Sequence, residues 1–505
     1  MMTIIDDILN KTTMYRLVLY YLIALLLTAF FLCLAGVLPY SPWALLASTT
    51  IILGICLLAN AIFARTFNAT PNIESAYITA LILALIITPQ LTFPTVMLMV
   101  WAAILAMASK YILSYRHKHL FNPVAISVVI TALFISQSAS WWVGTISMLP
   151  IVVIGGLLVI RKIKRASLVW AFIITATIVI ITTGLAHGSS IIENLRAIYL
   201  YSPLLFFAFL MLTEPLTSPP TKKLQIWYGV IVGLLFAPRI HLGSVYSTPE
   251  LALVVGNVFA FIVSSKGRVT LTLKEIRRVA NDTYDFVFRP SFPVKFLPGQ
   301  FLELTLVTAP SDARGNRRFF TIASAPTEKE IRFGVKFYPK SSRFKQVLAE
   351  LKPNQSITAA QTAGSFTLPR DPAKKLAFIA GGIGVTPFRS QVKYLLDSGQ
   401  KRDIILLYSN KTVGEIAYAD LFAAAEPLGL KTVYTLTDRT TIPANWPGQT
   451  GLIDQKMLTT QAPDYQDRLF YLSGPHAMVV AFEKLLSSLG VPKSQIKTDY
   501  FPGYA

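Results

Sequence analysis

The first 265 residues consist largely of apolar runs whose lengths approach or reach the thickness of a lipid bilayer. The whole chain is 53% hydrophobic and 14% charged, and the charged residues crowd into the C-terminal half, so the N-terminal half is far more apolar than a water-soluble domain. A helix needs about 20 residues to span the hydrocarbon core. The sequence therefore predicts a transmembrane helical domain over 1–265 with about ten spans, at 15–36, 43–64, 74–89, 92–113, 122–137, 141–160, 167–186, 198–213, 225–238 and 248–265.

Positive charges between these runs predict an orientation. With both ends of the chain in the cytoplasm, Arg196 and Arg239 fall outside and the other Lys and Arg residues of this half fall inside, as the positive-inside rule expects for an even number of spans. We expect a multi-pass protein of the cell membrane with cytoplasmic termini and a first span that is retained rather than cleaved as a signal. The inside set is Lys11, Arg16, Arg65, Lys110, Arg116, Lys118, Arg161, Lys162, Lys164, Arg165, Lys222, Lys223, Lys266 and Arg268.

The net charge of +20 divides about equally between the two halves of the chain. Nucleic-acid binding explains it poorly. The positive charge of the first half follows from the positive-inside rule, and the second half has no stripe of basic and aromatic residues. Contact of a cytoplasmic domain with anionic lipid headgroups explains it better. Cys33 and Cys56 each lie in a predicted span, and a plant-type iron–sulfur cluster needs four thiolates. We expect no such cluster, no metal ion, and two small core cysteines.

Beyond residue 265 the pattern is that of two water-soluble domains. Residues 269–370 alternate apolar and polar positions with frequent turns, which predicts an antiparallel β-barrel domain over 266–370. From there to the end, apolar strands alternate with helical segments, which predicts an α/β domain with a parallel sheet over 371–505. Such a sheet binds dinucleotides at the carboxyl ends of its strands. The four predicted strands are 376–379, 404–408, 432–436 and 469–472.

A glycine-rich turn, Ala380-Gly381-Gly382-Ile383-Gly384-Val385-Thr386-Pro387, follows the first of these strands. Glycines let the backbone approach an anion, and the N–H groups at the next helix start face it, so the turn suits a phosphate. Alone, it is weak evidence. It is preceded by Pro298-Gly299-Gln300-Phe301 and Arg317-Arg318-Phe319-Phe320-Thr321-Ile322-Ala323-Ser324, and followed by Ser473-Gly474-Pro475-His476-Ala477-Met478. In that order and spacing, residues 268–505 resemble the ferredoxin-NADP reductase superfamily of flavin enzymes.

The resemblance implies FAD in the barrel domain, bound by the segment Arg318-Phe319-Phe320-Thr321. Arg318 would pair with the FAD pyrophosphate, since a fixed cationic fork suits that group. Phe320, which stands where the family has tyrosine, would stack on the isoalloxazine, and Thr321 would hydrogen-bond near its N5 atom. Three residues before a helix-like stretch are either FAD phosphate contacts or, for the serines, a simple helix N-cap: Lys336, Ser341 and Ser342.

The same resemblance implies that the nicotinamide side of NAD(P)H binds at the parallel strand ends. The residues that would bind it are Gly381, Gly382, Gly384, Val385, Thr386, Pro387, Gly474 and Pro475. The residues beside the hydride path, and so the candidate catalytic residues, would be Thr321, Ser473 and Phe501. Ser473 replaces the family's cysteine and removes a soft sulfur from this path. Either Phe501 or Tyr504 would be the aromatic cover over the flavin.

The third strand of the α/β domain runs into Thr437-Asp438-Arg439. NADPH-selective relatives have a serine and an arginine there that bind the 2′-phosphate, whereas Asp438 would repel a phosphate and accept hydrogen bonds from ribose hydroxyls. The residues therefore favour NADH. Lys411 and Arg439 keep NADPH as an alternative.

Three segments of the first half carry a second resemblance: Asn72-Ile73-Glu74-Ser75-Ala76, then Ser109-Lys110-Tyr111 with His119-Leu120-Phe121-Asn122-Pro123, and Met211-Leu212-Thr213-Glu214-Pro215-Leu216-Thr217-Ser218-Pro219. They resemble membrane subunits B and D of the sodium-pumping NADH:quinone oxidoreductase and Rnf complexes, over about residues 40–265. The alternative is that Asn-Pro and Glu-Pro merely end helices at the interface.

Those subunits carry FMN esterified to a threonine in a Ser-x-Ala-Thr loop sequence, which this chain lacks, so we expect no covalent flavin. A noncovalent flavin in the bundle stays open, with Asn122, Thr213 and Glu214 as candidate neighbours, because intramembrane polar residues are costly and hence functional candidates. Two stacked haems would need four histidines paired on two helices. The histidines of this half lie near predicted span ends, which disfavours haem.

These observations predict a membrane flavoprotein oxidoreductase that takes hydride from cytoplasmic NAD(P)H onto FAD and passes electrons into or across the membrane. Its acceptor would be a quinone, an external flavin or metal, or a partner redox protein. Two alternatives stay open. One is redox-driven ion transport within a larger complex, and the other is a membrane-tethered NADH reductase whose helices only anchor it.

Overall fold

The computed structural model describes residues 9, 12–67, 73–115, 118–237, 241–242, 245–264, 269–306, 317–339 and 341–499. The chain divides into two compact units, Met1–Gly267 and Arg268–Ala505. We call them the helical unit and the two-sheet unit.

The helical unit is built from apolar α-helices. The helix Ile191–Leu200 is followed by a short helix, Leu204–Phe206, that continues into a π-helical turn, Phe207–Met211. The helices are α1 (Met14–Leu34), α2 (Pro42–Thr66), α3 (Ile73–Ile86), α4 (Phe93–Ile112), α5 (Pro123–Ile135), α6 (Leu149–Ile163), α7 (Ala166–Ala186), α8 (Ile191–Leu200), α9 (Lys222–Leu235) and α10 (Pro249–Val263).

Polar caps followed by proline fix where several of these helices begin. Asn122 Oδ1 accepts two backbone N–H groups of α5 at 3.1 Å each, with Pro123 in the first turn. Ser41 and Thr248 cap α2 and α10, and each is again followed by proline. The cap supplies an acceptor for an otherwise unpaired N–H, and proline needs no partner there.

Four helices are long and apolar enough to cross a membrane by length and composition: α1, α2, α4 and α7. The segments Ile191–Leu200 and Leu204–Met211 pass the same test as a pair bent by 56°, and α3, α5 and α10 are shorter apolar helices. The predicted count of about ten spans is therefore not confirmed. Residues 141–148 form turns instead of the start of a span, and Pro203 at the bend cannot continue the helix of 198–213.

The C-terminal end of α3 is completed by a loop rather than by more helix. Ile86 O accepts the N–H groups of Ser140 and Trp141 at 2.9 Å each, and Trp142 Nε1 donates to Ala84 O at 3.0 Å. Lipid offers no hydrogen bonds, so irregular backbone at membrane depth must be satisfied by protein. The loop after α5 donates hydrogen bonds to the last carbonyl groups of α3.

One arrangement occurs twice in the helical unit. α4 is followed by paired two-residue strands, Ser114–Tyr115 and Lys118–His119, and then by α5; α9 is followed by the pair His241–Leu242 and Val245–Tyr246, and then by α10. Both second helices are short and begin with a polar cap and a proline. Matched short helices in two halves of a membrane protein are a frequent location of polar sites.

The first sheet of the two-sheet unit is antiparallel, as predicted. Its strands are β1 (Val269–Ala280), β2 (Thr283–Pro290), β3 (Phe301–Thr305), β4 (Arg317–Thr321), β5 (Ile331–Lys336) and β6 (Ser356–Ala363), and α11 (Arg343–Ala349) lies between β5 and β6. The strand order is β4-β3-β6-β1-β2-β5. Alternate residues such as Leu271, Phe288 and Phe333 fill its core. Closure of this sheet into a barrel stays a prediction.

The second sheet is entirely parallel, in the order β10-β9-β8-β7-β11-β12. Both faces are covered, since Phe378 and Leu406 belong to one core and Ile379 and Leu407 to another. This explains the continuous apolar strands. The elements are β7 (Leu376–Gly381), α12 (Thr386–Ser398), β8 (Ile404–Asn410), α13 (Ala419–Ala424), β9 (Leu430–Leu436), β10 (Gln449–Thr450), α14 (Gln455–Gln461), β11 (Leu469–Ser473), α15 (His476–Ser488) and β12 (Ile496–Asp499).

Candidate functional site

The carboxyl ends of the parallel strands meet in one row. In register, Ser473 of β11 lies beside Ala380 of β7 and beside Asp499 of β12, and Gly381 lies beside Ser409 of β8. The chain leaves β7 for β8 on one side, whereas β11 lies on the other side. The strand order thus reverses between β7 and β11, and open α/β sheets bind ligands at such a switch point.

The glycines of the predicted phosphate turn are required by space or by backbone conformation. A Cβ on Gly384 would lie 2.5 Å from Ser473 O, and a Cβ on Gly381 would lie 2.5 Å from Met478 Sδ. Gly382 has a φ of +52°, in the left-handed region that favours glycine. The turn therefore packs directly on the segment after β11, and a side chain there would force the two apart.

This turn leads directly into α12. Residues 382–385 form a 3₁₀ turn in which Val385 is buried. Thr386 and Pro387 occupy the first turn of α12, and Thr386 Oγ1 donates to Ile383 O at 3.3 Å. Pro475 Cδ lies 3.2 Å from the Cβ position of Gly381, so the segments predicted to bind the dinucleotide lie side by side. A helix start of this kind favours an anion.

The predicted flavin segment forms strand β4, whose side chains alternate between two faces. The guanidinium carbon of Arg318 lies 5.3 Å from the ring centre of Phe344, and the ring of Phe320 stacks on Phe344 at 5.9 Å. Phe319 meets the ring of Phe301 edge-on at 5.3 Å. Because Phe344 lies in the first turn of α11, the residues Arg318 and Phe320 face the start of that helix.

The predicted phosphate contacts near α11 already have protein partners. Ser342 is the N-cap and accepts a backbone N–H of α11 at 3.4 Å. Ser341 Oγ donates to Tyr338 O at 2.7 Å. Lys336, at the end of β5, is ion-paired with Glu415 at 2.9 Å. The N-cap alternative thus describes Ser342, and a phosphate at Lys336 would compete with the carboxylate of Glu415.

Thr321 connects the two sheets. Its hydroxyl donates to Asp499 Oδ2 at 3.2 Å, and Asp499 is the register partner of Ser473. The end of the predicted flavin strand therefore lies at the row of parallel strand ends. The sequence reasoning missed Asp499, for which the available signal is an acidic residue just before the aromatic C-terminal segment. Phe501 and Tyr504 lie outside the described residues.

Asp438 lies just after β9, and its side chain accepts hydrogen bonds from Thr440 in the same turn. Its Oδ1 accepts the hydroxyl of Thr440 at 2.6 Å and the N–H of Thr440 at 3.1 Å. These bonds hold the pKa of the Asp438 carboxyl below its ordinary value. The N–H of Asp438 donates to Lys411 O at 3.1 Å. Asp438 and Lys411, two of the three residues predicted to influence the choice of dinucleotide, are therefore neighbours beyond β8 and β9.

Two of the predicted residues of the helical unit, Asn122 and Glu214, belong to a polar cluster. Glu214 Oε2 accepts from Asn122 Nδ2 and from Thr217 Oγ1 at 2.9 Å each, and Glu214 Oε1 lies 3.3 Å from His119 Nε2. Asn257 Oδ1 accepts the N–H of Asn122 at 2.8 Å. The cluster ties the segment before α5 to the segment after the π-helical turn and to α10. We call these five residues the Glu214 cluster.

Thr213 lies next to this cluster but bonds within its own helix, where its hydroxyl donates to Phe209 O at 2.8 Å. A cavity of about 10 Å³ borders the cluster, lined by residues that include His119, Thr217, Ser218 and Ser264. That volume holds about one water molecule. Within the described ranges, no group of three or more His, Cys, Asp or Glu side chains could hold a metal ion.

Two family models match the chain, one in each unit. Residues 106–266 match the NQR2, RnfD, RnfE family, and residues 378–484 match the oxidoreductase NAD-binding domain. The predicted fusion of a membrane part of the first kind with a reductase domain is confirmed by these two matches.

Individual relatives are similar to part of the chain. The chain is 29% identical over 214 residues to the stachydrine N-demethylase reductase subunit Stc4 of Rhizobium meliloti (strain 1021), covering 41% of this chain and 60% of that protein. It is 26% identical over 231 residues to the glycine betaine monooxygenase reductase subunit of Pseudomonas aeruginosa (strain UCBPP-PA14), covering 44% and 62%. The chain therefore spans about 60% of the length of these curated relatives.

A solved structure of Amycolatopsis cytochrome P450 reductase GcoB aligns with 46% of this chain and 69% of that chain, at 22% identity and a TM-score of 0.41.

Proposed function

We propose that this chain is a membrane flavoprotein oxidoreductase that takes hydride from NAD(P)H onto FAD in the two-sheet unit and passes electrons into or across the membrane. The observation that carries the proposal is the bond from Thr321 to Asp499. It brings the end of the predicted flavin strand to the row of strand ends that holds the glycine turn and Ser473. Relatives described as reductase subunits support the same activity.

The residues of β4 and α11 fit FAD by their chemistry. Arg318 offers a cationic fork for a pyrophosphate, and the capped start of α11 lies on the same face of β4. The ring of Phe320 already stacks on Phe344, so a flavin would pack on its other side. When bound, FAD supplies an acceptor that takes two electrons as hydride and releases them singly.

On the other side of the site, the chain's residues bind and orient the dinucleotide. The N–H groups at the start of α12 bind its phosphate, and the glycines allow close approach. Ser473 flanks the nicotinamide, with Gly474 and Pro475 beside it. Thr321 and Asp499 form a hydroxyl–carboxylate pair at the meeting point. Asp438 favours NADH, because its carboxylate repels a 2′-phosphate and accepts hydrogen bonds from ribose hydroxyls. Phe501 or Tyr504 is the proposed aromatic cover.

In the helical unit, the Glu214 cluster brings polar groups from distant segments together, and transfer of electrons through this unit requires a bound relay because none of these side chains carries electrons. A noncovalent flavin beside Asn122, Thr213 and Glu214 is the proposed relay. The side chains there bond to each other or to their own helix, so such a flavin would replace some of these bonds.

The proposed location is the cell membrane, with both termini in the cytoplasm, where reduced nicotinamide is available. The proposed acceptor is a quinone, an external flavin or metal, or a partner redox protein. Redox-driven ion transport within a larger complex is a second candidate, favoured by the match to the NQR2, RnfD, RnfE family. A membrane-tethered reductase is the third, since four helices suffice as an anchor.

The first test mixes the purified full chain, loaded with FAD, with NADH or NADPH in the absence of oxygen. We expect NADH to reduce the bound flavin, and NADPH to do so with a lower kcat/KM. The absorbance of the flavin reports the reduction. If neither dinucleotide reduces it, the proposed function is wrong.

A further inference from the structure

Three consecutive side chains of α12 donate hydrogen bonds to backbone carbonyls in the segments that follow β4 and β6. Arg389 Nη1 donates to Ala323 O at 2.8 Å, and Ser390 Oγ donates to Ser324 O at 2.6 Å. Gln391 Nε2 donates to Phe366 O at 2.7 Å. Arg389 is 5% exposed and the other two donors are fully buried. Water therefore cannot easily replace these bonds, and losing one leaves a buried acceptor unpaired.

An ion-pair network reinforces the same contact. Arg389 pairs with both carboxylate oxygens of Glu328, and the separation from Arg389 Nη2 to Glu328 Oε1 is 3.0 Å. Glu328 Oε2 also accepts the N–H of Ala325 at 2.7 Å, and Glu328 Oε1 lies 3.4 Å from Arg332 Nε. A guanidinium held by two oxygens has a fixed orientation. The loop after β4 is thus fixed on α12.

A second contact lies beside the first. Tyr418, before α13, donates its hydroxyl to Asp285 Oδ1 at 2.5 Å. A Cβ added at Gly334 of β5 would lie 2.6 Å from Thr386 Cγ2 and 2.7 Å from the Tyr418 hydroxyl oxygen. At Gly334, the backbone of β5 therefore packs directly against residues of the parallel-sheet domain, with no room for a side chain.

These contacts are relevant to the reaction because they lie a few residues along the chain from the predicted flavin and dinucleotide sites. Ala323 lies two residues after Thr321, the end of the predicted flavin segment. Arg389 lies two residues after Pro387, in the first turns of the helix that starts at the dinucleotide turn. With so short a connection on each side, a shift between Ala323 and Arg389 is transmitted to both ligand surfaces. Interfaces packed in this way are not continuously deformable.

We infer that Arg389, with Ser390 and Gln391, is a positioning residue that sets the separation between the flavin and the nicotinamide. This inference rests on the proposed function. Arg389 touches neither cofactor surface directly, since its bonds go to Ala323 and Glu328. The separation of the two reacting groups is then set by the fold and not by closure around the dinucleotide. Hydride transfer depends steeply on that separation, because a misplacement of about 1 Å can cost about 100-fold in rate.

The test compares Arg389→Gln with wild type and with Lys393→Gln, all as the full chain loaded with FAD. Lys393 lies on the same helix one turn on and pairs with Asp397 at the surface. The measured quantities are the limiting rate of flavin reduction per bound FAD and the dissociation constant for NADH. We expect Arg389→Gln to lower the rate at least about 10-fold and to leave the dissociation constant within about twofold. Lys393→Gln should match wild type in both.

A second measurement needs no cofactor. Amide hydrogen exchange is followed in flavin-free, nucleotide-free protein for the segments 322–325 and 386–392. We expect Arg389→Gln to raise exchange in both segments together, and Lys393→Gln to raise it in neither. If Arg389→Gln does not yield folded protein, Ser390→Ala is examined in the same way, with a smaller change expected in the same direction.

The outcomes separate the two proposals. If wild type is not reduced by NADH or NADPH, the proposed function fails while the exchange comparison still tests the contact. An unchanged reduction rate per bound FAD in both Arg389→Gln and Ser390→Ala would overturn the positioning role. So would a rate loss fully explained by weaker NADH binding.

Discussion

The helical unit and the two-sheet unit differ in the way in which many of their polar side chains find hydrogen-bond partners. In the helical unit, hydroxyls such as those of Thr49, Thr50 and Thr182 donate to carbonyls of their own helix, four residues back. In the two-sheet unit, buried polar groups join segments far apart in sequence, as Arg389 does with Ala323. Lipid requires each helix to satisfy itself, whereas a water-soluble domain can use such groups to fix two sheets together. The helical unit also has polar contacts between distant segments, such as Tyr21 to Val152 and Trp141 to Glu250. Among them, the Glu214 cluster is a functional candidate because ionisable side chains inside a membrane bundle are costly.

The strongest challenge to this comparison is Glu214→Ala. The change leaves Asn122 and Thr217 without their shared acceptor, and the loss of a partly buried acceptor costs about 1–3 kcal/mol. We expect the helical unit to unfold at lower denaturant while the two-sheet unit keeps its own midpoint. The measurement is two-probe unfolding of the detergent-purified chain. Thr182→Ala serves as the matched control, because it removes a hydroxyl that bonds its own helix. Equal effects of the two substitutions would contradict the distinction drawn between the cluster and self-satisfied helices.

Arg318→Ala tests the flavin side of the two-sheet unit. Removing the cationic fork should release most of the FAD, because a charge-assisted pair is lost, while the helical unit stays folded on its separate core. The ratio of FAD to protein after purification reports the result. Arg277→Ala, at an exposed arginine on β1 paired with Glu275, should retain FAD. Stoichiometric FAD in the Arg318 variant would remove that residue from the site.

Asp438→Ser sharpens the account of the dinucleotide end. It removes a carboxylate that we expect to repel a 2′-phosphate, so the preference should move several-fold toward NADPH. The measurement is the ratio of kcat/KM for NADH to that for NADPH. Because Asp438 also holds Thr440, Thr440→Ala is the control for loss of the turn alone. If Asp438→Ser leaves the ratio unchanged, or Thr440→Ala changes it equally, the carboxylate does not determine the preference for NADH.

The smallest expected effect concerns a surface ion pair in the two-sheet unit. Hydrogen bonds from Arg468, and then from Lys375, lower the pKa of Asp464 to about 2. Because the pKa of Asp464 is lower in the folded than in the unfolded state, where it is about 3.9, the pair stabilises the fold above about pH 3.9. This stabilisation falls with pH and is lost below about pH 2. Asp464→Asn should therefore cost about 0.5–1 kcal/mol at pH 7, given the partial solvent exposure of the pair, and the cost should disappear below about pH 2. A pH series of denaturant midpoints checks this, and a pH-independent difference would contradict it.

The local sequence was sufficient to predict a feature where the residues of one short segment determine its backbone conformation. The glycine turn is an example, since Gly381, Gly382 and Gly384 each lack room or need a positive φ. Contacts over long sequence distances were not predictable. Arg389 meets Ala323 across 66 residues and Tyr418 meets Asp285 across 133, and no local pattern marks these pairs.

The helical unit shows the same limit. Hydropathy located its apolar segments, but the break at Pro203 and the loop that completes α3 depend on hydrogen bonds made by other segments. Asn122 and Glu214 were singled out as intramembrane polar residues, whereas their bond to each other and to Thr217 and Asn257 emerges only in the fold. The proposed roles of the predicted site residues, and the domain boundaries at 265/266 and 370/371, stay predictions.

The central claim is that hydride chemistry belongs to the two-sheet unit and electron delivery to the membrane belongs to the helical unit. Its most direct test compares the full chain in liposomes with a fragment of residues 268–505, measuring NADH-driven reduction of a soluble acceptor outside and of another trapped inside. We predict equal reduction of the outside acceptor per bound FAD. The trapped acceptor should be reduced by the full chain alone, since about 30 Å of hydrocarbon is too wide for electrons to cross without a relay bound in the helical unit. A full chain that leaves the trapped acceptor oxidised and reduces a bilayer quinone no faster than the fragment would contradict the claim.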